Sequence, residues 1–246
     1  MRLLFTLTAM LLVIAPIAQT QTADEIIAKY IKTIGGREKI KAANEIVRVG
    51  KFIGGGGFEA PVRQENKRPD MVRTEFTMQG MTGITAYDGK SGWKIQPWGG
   101  KKDVESLDEG ELRSIEQDAD FDGPLIDYNT KGNTVKFIGT EPVDGTDAYK
   151  LEIKLKSGDT YTYYMDTDYY VPIKIEIKRT IRGNESEFFI NLGDYKEVNG
   201  VYYPFYREVG SKGSEFTGKT TYEKIEVNTP LAGDRFSKPI PQANSK

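Results

Sequence analysis

Histidine and cysteine are absent from all 246 residues. The first absence removes the side chain most often used as a general base near neutral pH, and the second removes the readiest nucleophile. Ser–His–Asp and Cys–His constellations are therefore excluded, as is a zinc centre built on imidazole or thiolate. No disulfide can form, so the fold rests on burial alone, which a chain of this length can supply. An excess of one charge is lacking too: 34 bases stand against 36 acids, which leaves no electrostatic footprint for nucleic acid.

Long apolar runs are equally scarce. Residues 3–14 form one, preceded by Met1-Arg2 and followed by the small residues Ala15 and Ala18, which is the pattern of an export leader. A dozen helical residues at about 1.5 Å each reach about 18 Å, short of a ~30 Å hydrocarbon core, so no transmembrane segment is expected. Cleavage is expected after Ala18 or within a residue or two of it, leaving 19–246 as one domain. Loss of Arg2 sets the mature net charge at −3, with 33 bases against 36 acids. Without a cysteine the mature chain cannot carry an N-terminal thioether lipid. It is expected to be soluble in the periplasm.

What the chain does have is strand pattern. Thr22 and Glu25 fit a capping box, and Ile26, Ile27, Tyr30, Ile31 and Ile34 then recur at helical spacing up to Gly35-Gly36. A short second helix is expected over 37–43. From residue 44 to residue 236, short alternating segments are separated by turn signals such as Asp144-Gly145, Arg182-Gly183-Asn184 and Asn199-Gly200. One of these segments, 71–78, places Val72, Thr74, Phe76 and Met78 on a single face. The middle breaks the pattern: Leu107, Leu112, Ile115 and Ala119 predict a helix, and a Pro-rich tail closes the chain. This reads as a mainly β (α+β) domain, an antiparallel meander of about ten or eleven strands. So wide a sheet must curl, and the two helical segments are the elements free to cover its concave face.

Motifs for chemistry are thin. Gly89-Lys90-Ser91 looks like the end of a phosphate loop, but Ile84 stands where the first glycine is needed and the context is a hairpin. Asp118, Asp120, Asp122 and Gly123 match the opening of a calcium loop, yet the closing position is Asn129, so a solvated acidic turn is expected in its place. No spacing selects a carboxylate pair for glycoside chemistry. A non-catalytic protein without metal or cofactor is the expectation. The positive signal is aromatic: Trp93, Trp98, Tyr161, Tyr163, Phe189, Tyr203 and Phe205 lie in or beside strand segments and can line both a core and a pocket. An acyl chain of about 16 carbons represents ~12 kcal/mol of gross burial, which an enclosed cavity can match and an exposed patch cannot.

Four segments then fall into one order. They are residues 23–30 (ADEIIAKY) with Gly35-Gly36, Ala86-Tyr87-Asp88-Gly89 with Gly92-Trp93, residues 121–128 (FDGPLIDY), and residues 194–204 (DYKEVNGVYYP). In order and spacing the chain resembles bacterial outer-membrane lipoprotein-sorting proteins, the LolA-like superfamily, over about residues 23–239. The resemblance implies an unclosed β-barrel with a helical lid around an apolar cavity for acyl chains. Members of that superfamily shuttle lipoproteins, bind complex lipids or sense envelope stress. The expectation is a soluble periplasmic lipid or lipoprotein carrier, with acyl chains as ligand and envelope membrane proteins as donor and acceptor. The alternative is an envelope sensor or scaffold of the same fold that binds a protein partner. Expected on the cavity wall are Phe76, Trp93, Ile95, Tyr163, Ile175 and Phe189, and on the lid Ile27, Tyr30, Ile31, Leu112 and Ile115. A one-residue error in strand phase would turn a strand's set outward.

Overall fold

The computed structural model describes residues 21–98, 100, 103–215 and 217–239, so the expected leader lies outside the described residues. Helix α1 (Ala23–Thr33) starts where the sequence predicts: Thr22 Oγ1 accepts from the Glu25 N–H at 3.2 Å, and the Glu25 carboxylate accepts from the Thr22 N–H at 2.8 Å. Just past its end Gly35, with φ +121°, passes so close to the chain that a Cβ there would lie 2.2 Å from the Gly200 carbonyl oxygen. Helix α2 (Arg37–Ala42) follows at once.

Six strands come next: β1 (Glu45–Ile53), β2 (Glu59–Lys67), β3 (Met71–Met78), β4 (Met81–Tyr87), β5 (Gly92–Ile95) and β6 (Glu105–Ser106). Helix α3 (Glu109–Ala119) opens on a second capping box, between Asp108 and Glu111. The chain then runs through β7 (Thr134–Val143), β8 (Thr146–Lys154), β9 (Thr160–Asp166), β10 (Pro172–Ile181), β11 (Asn184–Val198), β12 (Val201–Ser211) and β13 (Thr217–Val227). The count exceeds the sequence expectation partly because β6 spans only two residues, too short to show any alternation.

All thirteen strands belong to one sheet, ordered β6-β5-β4-β3-β2-β1-β13-β12-β11-β10-β9-β8-β7, and every pairing is antiparallel. The chain walks outward from β1 to one edge, crosses through residues 107–133 to the opposite edge, and walks back until β13 pairs with β1. Edges β6 and β7 do not pair with each other, so the curled sheet is an unclosed barrel. The crossing segment, with α3 in it, passes over the concave face. The curl is helped by close packing at glycines. At Gly50, where the β1–β13 register shifts, a Cβ would lie 2.1 Å from the Thr221 carbonyl oxygen. Gly218 lies beneath the ring of Phe52, with no room for a side chain between them.

Among the described residues burial falls into five clusters, of which two lie on the concave arms and one on the convex face. On the β7–β11 side, Ile26 and Ile27 of α1 join Leu151, Ile153, Tyr161, Met165, Ile175 and Ile177 in the largest core cluster. On the β3–β4 side, Ile115 and Ala119 of α3 pack against Val72 and Tyr87. The convex face carries its own apolar layer, in which Leu231 and Phe236 of the tail cover Val47. Among the described residues, no helix is long and apolar enough to cross a membrane.

The interior cavity as candidate binding site

Between the two arms and under α3 lies a cavity of about 450 Å³. It continues toward α1 in a second space of about 200 Å³, and toward β4 and β5 in a third of about 480 Å³. Strand alternation decides what reaches them. The apolar wall is Phe52, Val62, Phe76, Ile177, Phe188, Ile190 and Val209, and Phe188, not its neighbour Phe189, is the β11 phenylalanine that reaches it. Phe76 stands at the centre of an aromatic cluster, 5.2 Å from Phe52, 5.8 Å from Phe58 and 5.9 Å from Trp98 between ring centroids.

Tyr163 and Ile175 line the second space, and both also belong to the core under α1. Three of the expected wall residues do not reach the interior. Trp93 stands on the convex face, 1% exposed, where its indole Nε1 donates to the Phe236 carbonyl at 2.8 Å. Ile95 follows two residues along the same strand and shares that face. Phe189 likewise points outward, across Gly210, into a groove with Thr162, Lys174 and Glu176. The physical reason at Trp93 is that the convex face is apolar as well under the tail, whereas Phe189 lies in a groove lined mostly by charged and polar side chains. Hydrophobic alternation therefore does not say which face is inside. In β5 it is Lys94 that turns inward, to an ion pair with Glu111 of α3.

The expected lid residues fall into two groups of different strength. Ile27 is buried, and Tyr30 and Ile31 pack against two clusters, so α1 is a firmly seated plug over one end. Burying each such side chain is worth about 2 kcal/mol. Helix α3 buries only Ile115 and Ala119, with Leu112 partly covered, and its cavity side presents Ser114, Gln117 and Asp118. Its other anchors are polar: Glu111 to Lys94, Asp118 to Arg207 and Ser114 to Arg179.

The interior is more polar than the sequence suggests. Arg48, Gln64, Asn66, Thr74, Arg179, Arg207 and Tyr222 all face it. Arg179 is buried and donates to Asp159 at 2.9 Å and to Ser114 at 3.0 Å. Arg207 pairs with Asp118 at 3.0 Å. Burial raises the phenols of Tyr163 and Tyr195 well above the ordinary value, and that of Tyr30 to about 12, so these remain neutral hydroxyls at physiological pH. The sequence signal for the arginines was present but undecided: Arg48 sits between Val47 and Val49, which are apolar because the tail covers them.

The acidic stretch expected as a solvated turn is instead divided among separate cations. Asp118 faces Arg207, Asp120 faces Lys131, and Asp122 lies between Arg68 and Lys41. Among the described residues no cluster of acids is arranged to hold a metal ion.

Compared with known protein families and with curated proteins, the chain matches none. Solved structures do match. A DUF1329 family protein from Desulfovibrio piger is 11% identical over 87% of this chain and 96% of that one, with a TM-score of 0.62. A LolA superfamily protein from Nitrosomonas europaea is 15% identical over 89% and 98%, with a TM-score of 0.57. A proposed outer membrane lipoprotein-sorting protein domain from Vibrio parahaemolyticus is 13% identical over 81% and 93%, with a TM-score of 0.56. The fold is LolA-like.

Proposed function

We propose that this protein is an exported, non-catalytic carrier that takes the acyl chain of a lipid or lipoprotein into the space between its curled sheet and its helices. The observation that carries the reading is the interior itself: a cavity of about 450 Å³ faced by Phe52, Val62, Phe76, Ile177 and Val209, roofed by a helix that buries little. Cavities of this size, with apolar walls and a few placed polar groups, are the usual form of a small-ligand site. The LolA-like fold supports the reading, since one similar structure is described as a lipoprotein-sorting domain. Delivery in the periplasm, between a donor and an acceptor in the envelope, fits the leader-like N-terminus.

The test is to express the full chain, purify the protein from the envelope fraction, extract it with solvent and identify bound lipids by mass spectrometry. A stoichiometric acylated species is expected. After delipidation, a fluorescent acyl probe should bind the native protein, and Phe76→Glu or Tyr163→Glu should abolish uptake by placing a charge on the apolar wall. Thermal unfolding of each variant separates lost binding from lost fold. Phe76 is only partly buried, so its variant is the more decisive. Unchanged uptake in both variants, or an empty protein that takes up no probe, would leave the partner-binding scaffold as the better reading.

A further inference from the structure

Positive charge inside the sheet is not fully matched. Arg179 has Asp159, Lys94 has Glu111, and Arg207 has Asp118. Arg48 has no carboxylate within ion-pair distance among the described residues. Its protein acceptor is Asn66 Oδ1, at 2.7 Å, and its guanidinium lies 6.0 Å from the ring of Tyr203. No fully buried side-chain nitrogen or oxygen among the described residues lacks a partner, so the remaining N–H groups of Arg48 open onto the cavity. Loss of hydration lowers the pKa of Arg48, and Arg207 across the same space lowers it further, against the opposing pull of Tyr222, Tyr203 and Asp118.

The neighbours of Arg48 complete a cradle. Gln64 is its cross-strand partner, and Tyr222 Oη donates to Gln64 Oε1 at 3.1 Å, which leaves the Gln64 amide N–H groups facing the same space. Four charged residues line this part of the cavity: Arg48, Arg207, Asp118 and Asp120. Asp118 is held by Arg207 and Asp120 by Lys131, so the unmatched charge is that of Arg48. The adjoining larger cavity shares Gln64, Gln117, Asp118, Ile190, Arg207 and Tyr222 and continues into the apolar wall around Phe76. A polar recess, whose only charged group without an ion-pair partner among the described residues is Arg48, thus opens directly into an apolar one.

We propose that the interior selects an acyl ligand with an anionic oxygen head, a carboxylate or a phosphate, seated on Arg48 and Arg207 with its chain along the wall toward Phe76. This rests on the carrier reading and names its ligand class. A guanidinium fork matches such a head in two hydrogen bonds, and a partly dehydrated cation without a counter-ion gains most from one.

The experiment uses delipidated protein purified from the envelope and compares laurate, dodecyl phosphate and dodecanol, each displacing a neutral fluorescent acyl probe. At least one of the two anionic ligands should bind about tenfold or more tightly than the alcohol, as a charge-assisted hydrogen bond predicts. In Arg48→Met and Arg48→Gln that advantage should disappear while dodecanol binding stays within about twofold. Whichever anion binds more tightly identifies the head as carboxylate or phosphate. Equal binding of all three ligands by the native protein overturns the proposal without touching the carrier reading, and needs no folded variant. Discrimination that survives in both variants also overturns it. Displacement of laurate by inorganic phosphate at comparable concentration would reduce the site to a small-anion site and overturn the acyl assignment. Failure of the native protein to bind any of the three ligands would instead overturn the carrier reading.

Discussion

Asp122 shows how a single carboxylate ties the bottom of the molecule together. Arg68 donates to it twice, at 2.6 and 2.9 Å, and to the Ile40 and Ala43 carbonyls, while Lys41 reaches it at 2.5 Å. Burial alone would raise its pKa, but the hydrogen bonds from Arg68 and Lys41 outweigh burial and hold it below the ordinary 3.8. A depressed carboxylate adds stability that is fully present above the ordinary value and is lost as pH falls through the folded value. Asp122→Asn should therefore cost about 3 kcal/mol at neutral pH, and the gap from the native protein should close on acidification. Urea unfolding of both proteins along a descending pH series measures this. A gap independent of pH would mean that the Asp122 charge is not what stabilises this corner. Composition alone did not reveal the arrangement. The sequence shows an acidic run, and only the fold shows that Asp118, Asp120 and Asp122 face three different cations.

At the scale of elements, legibility followed local signals. The first helix was fully readable because its cap, stripe and glycine stop are all local. Hairpins were readable from their turns, and α3 from the spacing of Leu112, Ile115 and Ala119. Strand phase was not readable where both faces of a strand are covered. Phe76, Tyr163 and Ile175 face the interior, while Trp93 and Ile95 stand on the convex face, where the Pro-rich tail gives Trp93 an apolar environment outside the sheet. That tail is structural. Arg235 forms a two-bond pair with Glu65, at 2.8 and 3.0 Å, and Glu65 is only 1% exposed. Truncation after Pro230 removes Leu231 and Phe236 and strips Glu65 of its strongest partner, for a loss of about 5 kcal/mol. The variant should show a lower urea midpoint and a red-shifted tryptophan emission as Trp93 meets water, with ligand uptake retained. Loss of uptake at unchanged stability would place the tail in the site instead of behind it.

Taken whole, the molecule has its earliest and latest strands side by side. Hairpin pairings join near neighbours in sequence, but Ile46 of β1 meets Val227 of β13. Such a contact comes at the full entropic cost of closing a long loop, and topologies rich in distant contacts reach their native state slowly. As the chain is synthesised, β1 to β6 emerge early and β1 keeps an unpaired edge until the last strand arrives. That interval is when the chain is most exposed to wrong pairing. A circular permutant opened between Asn129 and Thr130, both exposed, with residue 239 linked to residue 21, brings β13 and β1 closer along the chain. It should refold faster than the native chain to the same sheet, as followed by stopped-flow tryptophan fluorescence. An unchanged rate would show that this central seam zips before the slow step, and that some other event sets the clock.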